Sequence, residues 1–345
     1  MAMEKNSPQT MKDIARELGV SVSTVSRALK GNSHISKAKR EEIQQFAREH
    51  RFIPNAIAES LRFSKVMPQR VIGVIIPQFV HFFFASVLDG IEKVTSENGY
   101  RILIAQSDEK YDKEVEICKS FEENKVCGII VSQAKDTRKY DHFQNLLDKN
   151  IPLVFYDRIC TGLDTSHVVV DDYAGSYAAV SHLVETGCKR IAFYGTTMSM
   201  QIGQNRYNGY RDALLKHGLK PDVRLARFCD NRHDAELITP EILNMQEDER
   251  PDGFFAINDD TALGILYVAK EMGFKVPDEI SICGFTDGIR ARSCDPMLTT
   301  VEQRGFDVGS EAARVLIGSV EGSIPLGHMA KRIIRTRLII RGTTR

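Results

Sequence analysis

From Arg70 to its last residue, the chain alternates short apolar runs with helix-length amphipathic stretches. The runs include VIGVIIP, YRILIAQS, VCGIIVS, PLVFYD, HVVVD, RIAFYG, GFFAIN, ISICGF and finally IIRTRLIIR. Strands that alternate with helices in this way predict parallel sheets with right-handed crossover connections. The runs are too many for one sheet, and a break near residues 157–165 indicates two similar lobes of about five or six strands each. Because ligands of such folds bind beyond the carboxyl ends of the strands, two facing lobes predict a ligand cleft.

The segment before this body differs from it in charge. Residues 1–70 hold 13 Lys and Arg against 7 Asp and Glu, whereas the rest of the chain holds 33 against 39, so a net charge of zero conceals a basic head and an acidic body. A basic segment suits a polyanionic partner, but an excess of this size is equally typical of a solvated surface. Charge alone leaves both interpretations open.

The basic segment contains two short amphipathic helices. In MKDIARELG, apolar residues recur at helical spacing before Gly19 ends the helix. Ser21 is a good N-cap for the next segment, VSTVSRALKG, in which Val25, Ala28 and Leu29 form the inward stripe. The tight turn between them predicts a helix-turn-helix, and a third helix in SKAKREEIQQFAREHRF closes a small core.

With that stripe buried, the second helix turns Val22, Ser23, Ser26 and Arg27 outward. Small side chains permit close approach to the floor of the DNA major groove, where arginine pairs with guanine and a valine methyl contacts thymine. The outward face therefore favours DNA binding. The alternative is that the two helices only cap a larger domain.

The next segment, IPNAIAESLR, starts with a proline suited to a first helical turn, but its helical pattern is too short to be stable alone. Together, MKDIARELGVSVSTVSRALKG and RFIPNAIAESLR resemble the headpiece and hinge of the lac repressor family of bacterial transcription regulators. In that family the second helix reads the major groove, and paired hinge helices of a dimer enter the minor groove, where a leucine wedges between base pairs. The resemblance implies base reading by Val22, Ser23 and Arg27, phosphate contacts by Ser21, Thr24 and Ser26, and minor-groove contacts by Asn55, Ala58 and the wedge Leu61.

The body is similar to the periplasmic-binding-protein-like core of the same family. The resemblance implies a headpiece at residues 1–53, a hinge helix and linker at 54–69, and a core at 70–345. We place the three expected crossings between lobes near residues 158–165, 287–304 and 322–328, which gives lobe 1 residues 70–160 and 304–324 and lobe 2 residues 161–303 and 325–345. The expected fold is therefore a small all-α helix-turn-helix headpiece with a hinge helix, followed by an α/β core of two parallel-sheet lobes that close on a small molecule.

Strand ends and the resemblance together indicate the effector contacts. The segment VHFFFASVLDGIE follows the first strand and offers Phe83 and Phe84 as aromatic platforms, although phenylalanine is more often a core residue. Thr286 stands where many relatives have a ligand-binding acid, so no specific effector is implied. The other candidates, each of which alone would more often be a surface or capping group, are Asp157, Arg206, Asn258 and Asp287.

The resemblance implies a ligand-responsive transcription regulator, expected to be a repressor, that binds a pseudo-palindromic double-stranded DNA operator as a homodimer. The expected effector is a carbohydrate, the family's commonest effector class. The chain ends without a leucine-heptad tail, so we expect a dimer rather than a tetramer. A P-loop, a G-x-G-x-x-G after a strand, H-E-x-x-H and G-x-S-x-G are all missing from the sequence, so we expect neither an enzyme nor a cofactor or metal.

Seven widely spaced cysteines without a zinc-ligand pattern are expected to be reduced thiols. No run approaches the roughly 20 apolar residues of a membrane span or the pattern of a secretory leader, so we expect a cytoplasmic protein without membrane contact. The rival interpretation is a cytosolic small-molecule receptor with the same core and no DNA role. Steeply salt-dependent DNA binding would separate the two.

Overall fold

Three helices form the described part of the first of two units into which the chain divides, residues 1–69 and 70–345. The structure, a computed structural model, describes residues 10–29, 35–50, 52, 70–325 and 328–345. The helices are α1 (Met11–Glu17), α2 (Val22–Leu29) and α3 (Lys37–Glu49). Their apolar stripes meet as predicted in a small core, which is formed by Ile14, Ala15, Val25, Ala28, Ile43 and Ala47.

Local signals set the ends of these helices. The Thr10 hydroxyl accepts a hydrogen bond from the Asp13 N–H at 3.3 Å, and the Asp13 carboxylate accepts one from the Thr10 N–H at 2.9 Å. Ser21 Oγ accepts from the Thr24 N–H at 3.1 Å, which confirms the predicted N-cap of α2. Gly19 lies between α1 and α2 with φ of +61°, a conformation that glycine adopts without a steric cost.

The second unit contains two six-stranded sheets, each of which defines a lobe. In spatial order the sheet of lobe 1 contains β11 (Lys331–Ile334), β5 (Ser166–Val170), β4 (Leu153–Tyr156), β3 (Gly128–Val131), β1 (Val71–Ile76) and β2 (Arg101–Gln106). The sheet of lobe 2 contains β12 (Arg337–Ile339), β10 (Thr299–Glu302), β9 (Ser281–Thr286), β8 (Gly253–Ala256), β6 (Ile191–Gly195) and β7 (Ala226–Phe228). Neighbouring strands of these sheets run parallel, except that β12 is antiparallel to β10. The predicted α/β fold with two lobes is confirmed.

Helices connect the strands and cover both faces of the sheets. Successive residues of a strand point to opposite faces of the sheet and pack in different apolar clusters. In β1, for example, Val74 belongs to one cluster and Ile75 to another. In chain order the helices of the second unit are α4 (Phe82–Glu97), α5 (Tyr111–Glu123), α6 (Asp141–Asp148), α7 (Asp172–Glu185), α8 (Gln201–Lys216), α9 (Arg232–Leu243), α10 (Asp259–Glu271), α11 (Ile289–Ser293) and α12 (Gly305–Val320), with a 3-10 turn at Val223–Leu225.

The lobe boundaries need correction at two of the three crossings. The sequence predicts residues 166–170 to lie in lobe 2, but they form β5, which pairs in parallel with β4 and therefore belongs to lobe 1. The break near residues 157–165 is a loop within lobe 1, and the chain first crosses between β5 and α7. The final run IIRTRLIIR spans parts of both β11 and β12, which lie in different sheets, so the last crossing follows β11. The middle crossing, between β10 and α12, lies at the end of the expected range.

Close helix packing positions the amino end of α4 in lobe 1. A Cβ atom on Gly309 of α12 would lie 2.0 Å from the Val87 carbonyl oxygen, and one on Gly90 of α4 would lie 2.1 Å from the Phe306 carbonyl oxygen. Glycine is therefore required at this contact between backbones. The contact holds the first turn of α4, which carries Phe83 and Phe84, beside the end of β1.

Candidate functional site

The outward face of α2 is small and polar, as predicted. Ser21, Ser23 and Arg27 are exposed. The Ser21 Oγ lies 2.7 Å from Ser23 Oγ and 2.8 Å from Thr24 Oγ1, so these hydroxyls form one cluster at the start of the helix. Arg27 makes no hydrogen bond or ion pair with any residue that the structure describes. Thr24 and Ser26 are partly buried at the edges of this face. Val22 differs from the prediction, because it is partly buried and packs against the core of the first unit.

The residues predicted to contact the minor groove are Asn55, Ala58 and Leu61, which lie outside the described residues. Their roles stay predictions.

A cavity of about 210 Å³ lies in the second unit where the carboxyl ends of the two sheets face each other. Side chains that follow β1, β2, β3 and β4 form its lobe 1 wall, and side chains that follow β6, β7, β8, β9 and β10 form its lobe 2 wall together with α8. Parallel α/β sheets bind ligands at this edge. The wall includes five of the six predicted effector residues, which are Phe83, Phe84, Asp157, Arg206 and Asn258.

Arg206 is buried and held in place by its own lobe. Its Nε donates a hydrogen bond to Asp172 Oδ1 at 2.8 Å, and its Nη1 donates to the carbonyl oxygen of Ile257. The guanidinium lies 3.7 Å from the ring centre of Phe285, a cation–π contact. Burial raises the pKa of Asp172 to about 6, while the charge of Arg206 opposes this rise. The ion pair with Asp172 fixes the orientation of the guanidinium in the cavity wall.

Asp157 supplies a carboxylate with few protein partners. It follows β4 with φ of +57°, and its carboxylate reaches only Arg158 Nε, at 3.9 Å, among the described residues. Burial raises the pKa of Asp157, although the charges of Arg158 and Arg206 oppose that change. A buried carboxylate without hydrogen-bond donors is costly, so a ligand hydroxyl would satisfy it.

Phe83, Phe84 and Asn258 form the rest of the predicted set. The two phenylalanine rings are buried and meet edge to face at 5.5 Å between centroids. Asn258 caps α10 by accepting from the Thr261 N–H at 2.8 Å, and its Nδ2 donates to the Asp230 carbonyl oxygen at 2.7 Å. The amide of Asn258 therefore lines the cavity while both of its ends bind protein.

Asp287 is separated from the other predicted contacts. It is buried, and its two carboxylate oxygens accept hydrogen bonds from Arg292 at 2.7 Å and Arg341 at 2.6 Å. These arginines hold the carboxylate outside the cavity wall. The preceding residue, Thr286, lines the cavity instead and donates a hydrogen bond to Gln303 Oε1 at 3.0 Å.

Several charged residues of the wall were not among the predicted contacts. Lys135 follows β3 in lobe 1, and Asp230 follows β7 in lobe 2. The two form an ion pair with 2.6 Å between Lys135 Nζ and Asp230 Oδ2. Burial alone would raise the pKa of Asp230, but hydrogen bonds from Lys135 and Thr196 hold it below its ordinary value. Arg158 binds Glu109 at 2.5 Å within lobe 1. The sequence did hold a signal for these charged residues, since each of them follows a strand. For Asp230 that signal was missing, because β7 is not one of the apolar runs from which the strands were predicted.

The charges of the cavity wall balance. Among the described lining residues, the full charges are three cations and three anions, namely Lys135, Arg158, Arg206, Glu109, Asp157 and Asp230. Lys135 and Arg158 each bind an acid of this set, and Arg206 binds Asp172.

The other expectations concern the whole chain. All seven cysteines are free thiols, as expected. In the part of the chain that the structure describes, no group of three or more His, Cys, Asp or Glu side chains could hold a metal ion. No helix of that part has both the length and the apolar character to cross a membrane.

Comparisons with known proteins match both units. Residues 10–55 match the bacterial regulatory proteins of the lacI family, and residues 180–344 match a periplasmic binding protein-like domain. The ribose operon repressor of Halalkalibacterium halodurans is 32% identical over 337 residues, covering 97% of each protein. The transcriptional regulator CelR in complex with cellobiose is similar in structure, with a TM-score of 0.73 at 25% identity, covering 97% of this chain and 99% of that one. The lac repressor dimer bound to operator and the anti-inducer ONPF has a TM-score of 0.82 at 22% identity, covering 98% and 99%. The chain therefore belongs to the lacI family of bacterial regulatory proteins, a family of DNA-binding regulators rather than enzymes.

Proposed function

We propose that this protein is a transcriptional repressor that binds a pseudo-palindromic operator as a homodimer and whose operator affinity changes when a neutral carbohydrate binds between the lobes of the core. The observation that carries the proposal is the charge-balanced cavity between two sheets in a chain that also carries a small, polar helix-turn-helix face. The rival receptor without a DNA role leaves that face without a purpose.

The exposed face of α2 supports DNA binding. Ser21, Ser23 and Arg27 offer two hydroxyls and a guanidinium, all exposed. Such a surface suits base edges and phosphates in the major groove. Similarity to the ribose operon repressor supports repression as the outcome.

The cavity favours a neutral ligand that is rich in hydroxyl groups. An anionic ligand would add an unpaired charge to a wall in which the cations Lys135, Arg158 and Arg206 already bind acids. A hydroxyl group, in contrast, can donate a hydrogen bond to Asp157, and the rings of Phe83 and Phe84 offer an apolar surface for a sugar ring. The structural relative CelR was solved with cellobiose, which is such a ligand.

A second copy of the chain is the proposed protein partner. The edge strands β2 and β7 expose apolar residues, which are Leu103 and Ile104 on β2 and Phe228 on β7. Exposed apolar edges favour pairing with another chain unless they are covered. The lac repressor relative is a dimer, and we propose the same state here, with both edges covered by the second copy.

The test begins with the selection of duplexes from a random DNA pool by the full-length protein. We expect a motif with two-fold symmetry, and an affinity for it that falls steeply as the salt concentration rises. A panel of neutral sugars, sugar acids and sugar phosphates is then added, and we expect a neutral sugar to shift the affinity for the selected duplex. Recovery of no motif would contradict the DNA role, and a shift caused only by sugar acids or phosphates would contradict the neutral effector.

The matched variants Asp157→Asn and Asp164→Asn test the cavity assignment. Removal of the Asp157 charge is expected to weaken binding of the active sugar about tenfold or more, since a hydrogen bond to a charged group contributes about 1.5–3 kcal/mol. Asp164 is exposed on a loop of lobe 1 outside this cavity, so its variant should bind like the original protein. Isothermal titration calorimetry measures both. Equal affinities of the two variants would remove Asp157 from the site.

A further inference from the structure

A second compartment of about 350 Å³ lies beside the cavity, and the two share wall residues. The shared residues are His81, Phe83, Asn258 and Thr286. We call the second space the outer compartment. It lies between residues 79–85 of lobe 1 and residues 258–260 and 286–290 of lobe 2. A ligand in the cavity could therefore extend into the outer compartment without leaving the cleft.

Apolar side chains dominate the free surface of the outer compartment. Phe79 is 53% exposed, Phe82 is 40% exposed, and Ile289, on the opposite lobe, is 66% exposed. The two walls approach closely at one end, where a Cβ atom added to Gly288 would lie only 3.3 Å from Phe82 Cβ. Apolar residues that converge from two lobes gain free energy when a ligand removes them from water.

The acidic groups of the outer compartment already have protein partners. Asp259 accepts hydrogen bonds from the Gly288 N–H at 2.8 Å and from the Thr300 hydroxyl at 2.5 Å. Asp260 binds Arg290 at 2.9 Å, and His81 Nδ1 lies 3.4 Å from it across the cleft.

The shared polar residues are satisfied as well, since both ends of the Asn258 amide bind protein and the Thr286 hydroxyl donates to Gln303. The surface left for a ligand is mostly apolar, in contrast to the cavity, where the Asp157 carboxylate accepts no hydrogen bond from the described residues. A second hydroxyl-rich ring would therefore find few partners in the outer compartment.

We propose that the outer compartment binds a planar apolar substituent of the effector, so that the effector is a carbohydrate carrying an aromatic or similar group. The proposal rests on the proposed function for the identity of the hydroxyl-bearing part. The hydroxyl-bearing part occupies the cavity beside Asp157, and the apolar part lies between Phe82 and Ile289.

The first experiment probes the outer compartment without any sugar. The neutral fluorescent probe N-phenyl-1-naphthylamine is titrated into the full-length protein and into the variants Ile289→Asp and Leu215→Asp. Ile289 begins α11, where an acid is tolerated, so the first variant is expected to fold. Leu215 is the matched control, because it is 54% exposed on α8 of the same lobe and outside both compartments.

We expect the probe to bind the original protein saturably. Ile289→Asp should weaken this binding about tenfold or more, because it places a charge in an apolar wall. Leu215→Asp should leave the affinity for the probe unchanged. Binding that is absent, or equal in the original protein and Ile289→Asp, would overturn the outer compartment as a binding site.

The second experiment compares methyl and phenyl glycosides of the same sugars by calorimetry. For each sugar that binds, we expect the affinity of the phenyl glycoside to be about tenfold higher than that of the methyl glycoside. The variant Ile289→Asp should abolish this difference by weakening the phenyl glycoside alone, without changing the affinity of the methyl glycoside. Methyl glycosides that bind without any phenyl gain would overturn the proposal while the proposed function stands. If no glycoside binds but the probe result holds, the carbohydrate assignment fails and the apolar site remains supported.

Discussion

Arg27 is the residue of the first unit on which sequence-specific DNA binding is expected to depend most. It lies on the exposed face of α2 and has no partner among the described residues that would have to be displaced. We expect Arg27→Ala to weaken binding to the selected duplex by about 1–3 kcal/mol and to relax the preference for one base pair in each half-site. The measurement is the affinity for a panel of duplexes with single base-pair changes.

Arg48→Ala provides the control for Arg27, because Arg48 is an exposed arginine in the last turn of α3. It removes the same charge from the same unit, so it should preserve the base preference even if it lowers every affinity slightly. A uniform loss over all duplexes in Arg27→Ala would mean that Arg27 binds phosphate rather than a base.

At the scale of elements, the contact between α4 and α12 determines where the aromatic wall of the cavity lies. Gly309→Ala would place a methyl group 2.0 Å from the Val87 carbonyl oxygen, so the two helices would have to separate. Overpacking of this kind costs about 1–3 kcal/mol, and we expect a loss of that size in the free energy of unfolding measured with urea. Since α4 carries Phe83 and Phe84, effector affinity should fall as well.

An exposed residue of the same helix tests whether the effect is specific to the contact. Arg314 lies on α12, and in the described part of the chain its one ion pair is an exposed pair with Glu311. Arg314→Ala is therefore expected to change the free energy of unfolding by less than about 0.5 kcal/mol. A loss in Gly309→Ala no larger than this would show that the helices absorb the methyl group easily.

At the scale of the whole core, two side-chain contacts to acids cross the cleft among the described residues: the ion pair of Lys135 with Asp230, and the contact of His81 Nδ1 with Asp260 Oδ2. We expect Lys135→Met to favour separation of the lobes, because it removes one cross-cleft pair and leaves Asp230 with fewer hydrogen bonds. Hydrogen–deuterium exchange of the full-length protein should then rise at the strand ends that line the cavity. Lys149→Met, which breaks an exposed pair with Glu122 within lobe 1, should not change exchange at these positions. Equal exchange in both variants would show that the pair does not hold the lobes together.

Residue spacing was sufficient to predict the helices of the first unit and the alternation of strands and helices in the second. The stripe of Val25 and Ala28, the cap at Ser21 and the stop at Gly19 are all local, because they depend on neighbours within one or two turns. Five of the six proposed effector residues line the cavity. Phe83, Phe84, Asp157 and Asn258 follow strands whose carboxyl ends meet at one edge of a sheet. Arg206 lies within α8, and only the family resemblance indicates it.

Contacts between distant parts of the chain determined the remaining features. The assignment of β5 and β11 to lobe 1 depends on which strands supply their backbone hydrogen bonds, and no short window of sequence contains that information. Asp287 binds Arg341, 54 residues away, and therefore lies outside the cavity although it follows a strand of the correct sheet. Lys135 and Asp230 belong to different lobes, so their ion pair also depends on how distant parts of the chain assemble. Local periodicity encodes the elements, whereas hydrogen bonding and ion pairing between the assembled elements select the side chains that face the ligand.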